Sequence, residues 1–597
     1  MAHIATTDVL IAGAGPVGLS AAAELRRHHV RVRLVDRLPT RLPYAKAVGL
    51  QPRTLEIWDR MGLARPVLEA ATVMRGRLLY VDGREQARID LTLPPEVPYG
   101  FAVLPQYETE RLLEEYVVGL GTFIERGTEL LSFTQDEGGV TARLRTATGV
   151  GEELRVGYLI GCDGAHSTVR RGLGLGFEGA AFAEEYMLGD VEADWDMPHG
   201  YGIRSVHRAA DGSTDDVLVC IPLPGRGRYR MSMPAPPELS TRTGGQEPAR
   251  GDGVAYGMEG GRAPELSDLQ AVVDRLAPGP AVLSRLRWSS VFRISHRIVD
   301  RYADGRVFVA GDAAHIHPPT GAQGMNTGIQ DACNLAWKLA LVVRGEAGPA
   351  LLDSYDAERR PVGEEVVGRT VRHARQGIEA DPDDPQTLMR REAQLLVGYR
   401  GGPLAGSPYG PADAPQPGDR APDCAGLTAP AAAYPWRLLD VLRGRTGHVV
   451  LLYAADPAAL AEAAEAAAAT GIAGISQTPG TAGPARTAGP ARTAGTAGVP
   501  PAADGGPGLR DGPSAGTGPQ AVAVLAREAA PAAVDTLAVP GYRDAAGEFA
   551  RLYRPDGATG FVVRPDGHVG ARFPLAGTAA ALSHYLAAVA APQPAPW

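Results

Sequence analysis

Three glycines near the start of the chain, Gly13, Gly15 and Gly18, have the spacing GxGxxG. They follow an apolar run at 8–12, which is typical of a buried parallel strand, and a helical stretch comes after them. Glycines at this spacing allow a tight turn, the close approach of a pyrophosphate and the packing of the helix on the strand. Asp36 ends the next predicted strand, where its carboxylate can accept hydrogen bonds from a ribose diol. This pattern predicts a dinucleotide-binding site.

A second glycine-rich stretch, at 311–339, joins a predicted strand end to a predicted helix. The stretch at 315–319, with prolines at 318 and 319, cannot continue a helix, because proline lacks the amide hydrogen and clashes with the preceding turn. Apolar residues from 329 to 340 recur at intervals of three and four, as on an amphipathic helix. A glycine-rich loop therefore leads into a helix N-terminus, whose free amide groups and dipole favour an anion.

A third stretch, at 158–170, has the sequence YLIGCDGAHSTVR. Asp163 lies in a predicted turn between a strand and a helix, where it can accept a hydrogen bond from a hydroxyl group. Arg170 can pair with a phosphate.

The composition restricts the functional classes. The chain has 597 residues, with 59 Lys+Arg against 68 Asp+Glu and a formal net charge of -9. This balance disfavours nonspecific nucleic-acid binding. Four scattered cysteines have no metal-binding spacing, so we expect a reducing compartment and no metal site. With no apolar run of membrane-spanning length and no recognisable signal peptide, we expect a cytoplasmic protein without membrane attachment.

Together these three stretches, in this order, resemble the group A flavoprotein monooxygenases, the single-component FAD-dependent aromatic hydroxylases. The segments at 50–63, 104–113 and 354–362 are also similar to that family. The nearest subgroup comprises actinobacterial hydroxylases of polyketides and antibiotics, including rifampicin-type monooxygenases. The resemblance implies an α/β fold: a Rossmann-like FAD-binding domain with an interleaved β-sheet substrate domain, plus a C-terminal thioredoxin-like α/β domain.

The resemblance and the changes in composition also predict domain boundaries. The FAD-binding domain is expected at 1–72, 102–182 and 296–375, and the substrate-binding sheet domain at 73–101 and 183–295. A helical segment and linker is expected at 376–418. The thioredoxin-like domain is expected at 419–597, with a disordered stretch at about 474–519, where the TAG and TAGPAR repeats have too little apolar surface to fold. That domain has no CxxC motif, so we expect a structural or dimer-contact role.

The resemblance implies cofactor-binding roles for residues that match the family motifs. They are Gly13, Ala14, Gly15, Gly18, Asp36, Arg37, Lys46, Gln106, Arg111, Asp163, Asp312, Gly324, Met325 and Asn326. The first glycines would hold the pyrophosphate, Asp36 the adenosine ribose, and the backbone amides of 324–326 the pyrimidine edge of the flavin. Pro318 and Gly321 would lie beside the flavin. Ala322 is a departure, because many relatives have a glycine there.

The substrate pocket is expected on the sheet layer formed by 72–105 and 182–300. The candidate residues are Tyr201, Arg204, Met231, Met233, Phe292 and Pro318. His315 and His317 are interpreted as structural. No side chain is assigned as a catalytic nucleophile or base, because FAD would supply the chemistry.

The resemblance implies that NADPH or NADH reduces FAD and that O2 forms a flavin hydroperoxide, which passes one oxygen atom to a bulky aromatic polyketide or antibiotic-like substrate. A Baeyer–Villiger oxygenation on the same scaffold and a ligand-sequestering flavoprotein with little turnover are the alternatives. A flavin halogenase is less favoured, because its WxWxIP element is absent. The protein is expected to be a monomer or a homodimer.

Overall fold

The structure, a computed structural model, describes residues 7–211, 214–240, 254, 257–258, 262–377, 381–430, 432–470 and 520–590. The helices are α1 (Pro16–Arg27), α2 (Pro52–Met61), α3 (Ala64–Ala70), α4 (Gln106–Gly119), α5 (Thr168–Gly172), α6 (Leu266–Leu276), α7 (Gly324–Val343), α8 (Asp353–Gln376), α9 (Pro385–Glu392), α10 (Leu438–Leu442), α11 (Pro457–Ala469), α12 (Glu548–Tyr553) and α13 (Thr578–Ala590). The predicted disordered stretch at 474–519 lies outside the described residues.

The strands are β1 (Val9–Ala12), β2 (Val32–Asp36), β3 (Gly49–Leu50), β4 (Thr72–Val73), β5 (Gly76–Val81), β6 (Arg84–Asp90), β7 (Ala102–Val103), β8 (Ile124–Arg126), β9 (Glu129–Asp136), β10 (Gly139–Arg145), β11 (Gly151–Val156), β12 (Tyr158–Gly161), β13 (Phe177–Asp194), β14 (Tyr201–Arg208), β15 (Thr214–Pro222), β16 (Arg228–Pro234), β17 (Gly257–Met258), β18 (Val282–Val299), β19 (Ala303–Asp304), β20 (Val307–Val309), β21 (His315–Ile316), β22 (Leu427–Thr428), β23 (Val449–Ala454), β24 (Gln520–Leu525), β25 (Gly541–Asp544), β26 (Thr559–Val563) and β27 (Val569–Pro574).

The first sheet has the order β19-β20-β12-β1-β2-β8 and is parallel except at its β19 edge. Its central strand β1 is fully buried, as its unbroken apolar sequence predicts for a strand that is covered on both faces. Helices α1 and α7 pack together against this sheet. The strands β1, β12 and β20 are parallel neighbours, so their carboxyl ends, which lead into the three glycine-rich stretches, lie at one edge of the sheet.

The second sheet has the order β17-β18-β13-β16-β15-β14-β5-β6 and is mostly antiparallel. It is built from segments that alternate along the chain with those of the first sheet, so the predicted α/β fold with an interleaved sheet layer is confirmed. The strands β13 and β18 run through the predicted boundaries at 182/183 and 295/296. Each strand continues across its predicted boundary without leaving the second sheet, and the exact domain boundaries stay predictions.

The C-terminal sheet has the order β22-β25-β24-β23-β26-β27. Its strands β23 and β24 are parallel, β26 pairs antiparallel with β23, and β26 and β27 form a hairpin that precedes α13. A buried charge cluster joins this unit to the first domain: Arg564 pairs with Glu358 of α8, which also accepts from Lys338 of α7. Within the described part of the chain, no helix has the length and apolar character to cross a bilayer.

Candidate cofactor and substrate site

The glycines of the GxGxxG motif have different surroundings. Gly13 has φ +101°, and a Cβ atom there would overlap the carbonyl group of Cys162. A Cβ atom on Gly18 would overlap the carbonyl oxygen of Gly13, so both glycines are required by the protein's own packing. A Cβ atom on Gly15 meets nothing within 4 Å. Gly15 precedes α1 without a side-chain cap, so the free amides there face open space in which a pyrophosphate fits.

Asp36 lies beside this helix terminus. Its Oδ2 atom accepts from the amide of Ala14 at 2.7 Å, and its Oδ1 atom accepts from the amide of Leu38 at 2.8 Å. A carboxylate has about four acceptor positions, so Asp36 can still accept from a ribose hydroxyl. Arg126 is 3.6 Å from Asp36, whereas Arg37 is exposed.

Two further carboxylates lie at the same sheet edge. Asp163 caps α5, since its Oδ2 atom accepts from the amides of Thr168 at 2.7 Å and Val169 at 3.2 Å. Its Oδ1 atom is buried and lacks a hydrogen-bond partner among the described residues. Burial raises the pKa of Asp163 and of Asp312, and the charge of Lys46 counteracts this rise at Asp312. Carboxylates in this state suit a ligand that offers hydroxyl donors, such as the ribityl chain of FAD.

Gln106 at the start of α4 fixes the segment that carries Lys46. Its side-chain Oε1 atom accepts from the backbone amide of Ala47 at 3.2 Å, and its backbone amide donates to the carbonyl oxygen of Ala47 at 3.0 Å. Lys46 is exposed beside the sheet edge. Arg111 forms ion pairs of 2.8 Å with Glu108 and Glu115, so its guanidinium is held on the surface of α4.

The loop before α7 is held by side chains from inside the protein. Asn326 is fully buried; its Oδ1 atom accepts from the amide of Gln51 at 2.9 Å, and its Nδ2 atom donates to the carbonyls of Gly49 at 3.0 Å and Ala322 at 2.8 Å. Asn326 can therefore contact a cofactor only through its backbone. The N-terminus of α7, which comprises Gly324 and Met325, has no side-chain cap, so its amides can stabilise a negative charge.

The loop contains two left-handed residues, Gly321 at φ +72° and Ala322 at φ +56°. An alanine in this region is strained, which explains why a glycine is suited to position 322.

His315 and His317 are both buried. His315 lies 2.8 Å from the Oδ2 atom of Asp331, which also accepts from the amide of Gly311, while Arg359 donates to the Oδ1 atom at 2.8 Å. Asp331 of α7 thereby anchors the start of the loop. Burial and the neighbouring His315 lower the pKa of His317 to about 3, so His317 is neutral. These contacts fit the structural role interpreted from the sequence.

The two faces of the second sheet have different neighbours. Tyr201, Met231 and Met233 lie in a core with Leu269 of α6, so the structure places these three candidates on the face that packs against that helix. Arg204 and Phe292 lie on the opposite face, because side chains alternate along a strand. Pro318 is buried in the loop before α7. The six candidates therefore do not lie on one surface.

Sequence reasoning missed an aromatic and ionic group on the face that carries Arg204. Trp288 lies 5.6 Å from the ring of Tyr44, two residues before Lys46, so this face is turned toward the first domain. The indole nitrogen of Trp288 donates to Asp190 at 2.9 Å, and Arg230 pairs with the same carboxylate while its guanidinium lies 4.9 Å from the Trp288 ring. The alternation of the polar Arg230 and Ser232 with Met231 and Met233 is the sequence signal that separates the two faces.

Comparisons with known proteins agree with this geometry. The profile of a family described as FAD binding domain matches residues 6–370. A flavin-dependent monooxygenase of Mycobacteroides abscessus is 35% identical over 466 residues, which cover 76% of this chain and 90% of that protein. Rifampicin monooxygenase of Streptomyces venezuelae is 37% identical over 393 residues, or 65% of this chain and 75% of that protein. The solved structure of aklavinone-11 hydroxylase with FAD and aklavinone has a TM-score of 0.70 and 26% identity, covering 98% of this chain and 99% of that one.

The chain therefore belongs to the FAD binding domain family. It is an enzyme, a flavoprotein monooxygenase, and the family predicted from the three glycine-rich stretches is confirmed. The roles of individual site residues stay predictions.

Proposed function

We propose that this protein is an FAD- and NAD(P)H-dependent monooxygenase that inserts one oxygen atom from O2 into a bulky aromatic substrate of the polyketide or antibiotic type. One observation carries the cofactor part of the proposal. The open helix terminus at Gly15 and two half-buried carboxylates, Asp163 and Asp312, lie at one edge of the first sheet, with the uncapped N-terminus of α7 nearby. These groups match the pyrophosphate, the hydroxyl-bearing chain and the anionic ring of reduced FAD.

The relatives support the substrate class. The names of several relatives refer to oxygenation of rifampicin or of tetracycline intermediates, and a structural neighbour holds aklavinone. We place the substrate on the sheet face that carries Arg204, Phe292 and Trp288, with Pro318 on the flavin side. Tyr201, Met231 and Met233 would influence this pocket only through packing of the opposite face.

FAD, when bound, accepts a hydride from the nicotinamide and activates dioxygen. The chain itself binds and orients the reactants and excludes water, since water would divert the activated oxygen. The amides of Gly324, Met325 and Asn326 would stabilise negative charge on the flavin. Lys46 and the segment fixed by Gln106 would lie beside the flavin. Asp36 would hold the adenosine ribose, with Ala14 and Arg37 adjacent. Arg111 contributes by steadying α4.

The C-terminal unit fits a thioredoxin-like domain in the order of its elements: a parallel pair β23 and β24, then an antiparallel hairpin β26 and β27, then α13. Its buried contacts with α7 and α8 support a structural role. The four cysteines, all of which are described, form no disulfide, which suits the reducing cytoplasm. The monomer or homodimer state stays a prediction.

The test is the oxidation of NADPH and NADH by the FAD-loaded protein with aromatic polyketides, ansamycins and simple phenols, followed by product mass and connectivity. Ligand-stimulated oxidation that gives a ring hydroxyl supports the proposal. A product with oxygen inserted between two carbons indicates a Baeyer–Villiger reaction instead. Tight ligand binding without stimulated oxidation indicates a sequestering protein. A protein that cannot be loaded with FAD contradicts the proposal.

A further inference from the structure

A short segment, residues 392–394, lies behind the loop that leads into α7. We call it the strap. It comprises Glu392, the last residue of α9, and the two residues that follow, and it lies outside the matched segment at 6–370. Glu392 is 6% exposed, Ala393 0% and Gln394 2%. Buried polar side chains in a connecting segment require partners, so their contacts show what the strap holds.

Gln394 contacts the residues that begin α7. Its Nε2 atom donates to the carbonyl oxygen of Gln323 at 3.3 Å, to the Oε1 atom of Gln323 at 2.8 Å and to the hydroxyl of Thr327 at 3.0 Å. Its Oε1 atom accepts from Gln330. The backbone of Gln394 has φ +57°, a conformation that residues other than glycine adopt at a cost, and these contacts maintain it.

Glu392 contacts the side chain of Gln323 and the backbone at Gly321. Its carbonyl oxygen accepts from the Nε2 atom of Gln323 at 3.0 Å, and its Oε2 atom accepts from the same nitrogen at 3.3 Å. Its Oε1 atom pairs with Arg369 of α8. The carboxylate occupies the space that a Cβ atom on Gly321 would need, so strap and loop are matched in shape.

The carbonyl groups of the loop are turned toward these inner side chains. Gln51 donates to the oxygen of Gly321 at 2.6 Å, and Asn326 donates to that of Ala322 at 2.8 Å. Gln323, which has no exposed surface, is where the strap and the loop meet. With its carbonyls held inside, the turn is fixed in an orientation that leaves the first amides of α7 available.

We infer that Gln394, supported by Glu392, is a positioning residue for the flavin: it sets the orientation of the α7 N-terminus through Gln323 and Thr327 without touching the cofactor. This inference rests on the proposed FAD site. Loss of the Gln394 amide releases the first turn of α7, so its dipole and amides stabilise reduced flavin less. The flavin midpoint potential then becomes more negative, and FAD binds less tightly.

The experiment compares wild type, Gln394→Ala and a matched control, Gln386→Ala, which removes an exposed glutamine from α9. The readouts on the FAD-loaded proteins are the midpoint potential, the visible flavin spectrum, the FAD dissociation constant and thermal stability. For Gln394→Ala we expect a more negative potential, an altered spectrum and an FAD affinity weaker by about tenfold, the lower end of the loss found when the hydrogen-bond partners of metal ligands are removed. The control should match wild type in all four.

A Gln394→Ala protein with wild-type potential, spectrum and FAD affinity overturns the inference, whatever its thermal stability. If that variant does not fold, Gln394→Met, which keeps the volume but lacks the amide, is judged by the same criteria. If Gln394→Met also does not fold, Thr327→Val, which removes the hydroxyl that Gln394 contacts, is judged in their place. The two possible failures are distinguishable. A wild-type protein that binds no FAD contradicts the proposed function, whereas variants that behave like wild type contradict only the role inferred for Gln394.

Discussion

Gly49 of β3 lies against Ala322 of the loop before α7, and we predict that substitutions at these two positions have strongly coupled effects on stability. A Cβ atom built on Gly49 falls on the Cβ atom of Ala322, well inside the 3.4 Å at which ordinary van der Waals contact begins. The next atom of Ala322 is its Cα at 3.9 Å. Gly49→Ala should therefore clash with one methyl group only, and Ala322→Gly should remove that clash.

The magnitudes follow from this geometry. Overpacking of a close-packed site costs about 1–3 kcal/mol, which is the expected destabilisation by Gly49→Ala. Ala322→Gly relieves a left-handed alanine, worth about 1–2 kcal/mol, and loses about 0.4–1 kcal/mol through the greater freedom of the unfolded chain. The single Ala322→Gly variant should thus be as stable as wild type or slightly more stable. In the double variant the Gly49→Ala cost should largely vanish, a coupling of about 1–3 kcal/mol.

The assay is thermal and denaturant unfolding of wild type, both single variants and the double variant, with FAD affinity measured in parallel. The refuting result is an equal loss of stability on Gly49→Ala in both backgrounds, with coupling below about 0.5 kcal/mol. That outcome would mean that the loop does not take this path past β3.

Three further predictions concern the cofactor cradle and the core. Gly15→Ala should leave the unfolding temperature of the FAD-free protein unchanged but weaken FAD binding, because only a ligand fills the space beside it; equal affinities would contradict this. Asp331→Asn should destabilise the protein by about 3 kcal/mol, because it leaves the buried Arg359 without its charge partner, and an unchanged unfolding midpoint would refute it. Burial lowers the pKa of three histidines, to about 3 or 4: His317, His448 and His568. Below their ordinary value of 6.5 the unfolded chain binds more protons than the folded one, so stability should fall from pH 6.5 toward 4, by at most about 1.4 kcal/mol per unit for each histidine. A pH-independent midpoint across that window would contradict this assignment.

The dinucleotide edge was predictable because its signals are local. One strand–turn–helix unit contains Gly13, Gly15 and Gly18, and each neighbouring strand is recognisable in the sequence from a run of apolar residues. The charge partner of His315 was not predictable, because Asp331 lies one helix later and only the folded turn brings the two together.

The two faces of the second sheet were harder to assign from the sequence. Alternation separates the two faces but does not show which of them α6 covers, because apolar residues occur on both. Met231 packs in the core with α6, and Trp288 on the opposite face contacts Tyr44. The Asp190 and Arg230 pair joins strands that are distant in sequence. The contacts of the strap at 392–394 could not be predicted from the sequence either, because Gln394 and Gln323 are 71 residues apart along the chain.

The central claim is that this protein transfers an oxygen atom from O2 to an aromatic substrate. The most direct measurement is turnover of the FAD-loaded protein with NADPH, an aromatic polyketide or ansamycin, and isotopically labelled dioxygen, with mass analysis of the product. We expect a product that carries one labelled oxygen atom per NADPH consumed. NADPH consumption that yields only hydrogen peroxide, or a product oxygen that comes from water, would contradict it.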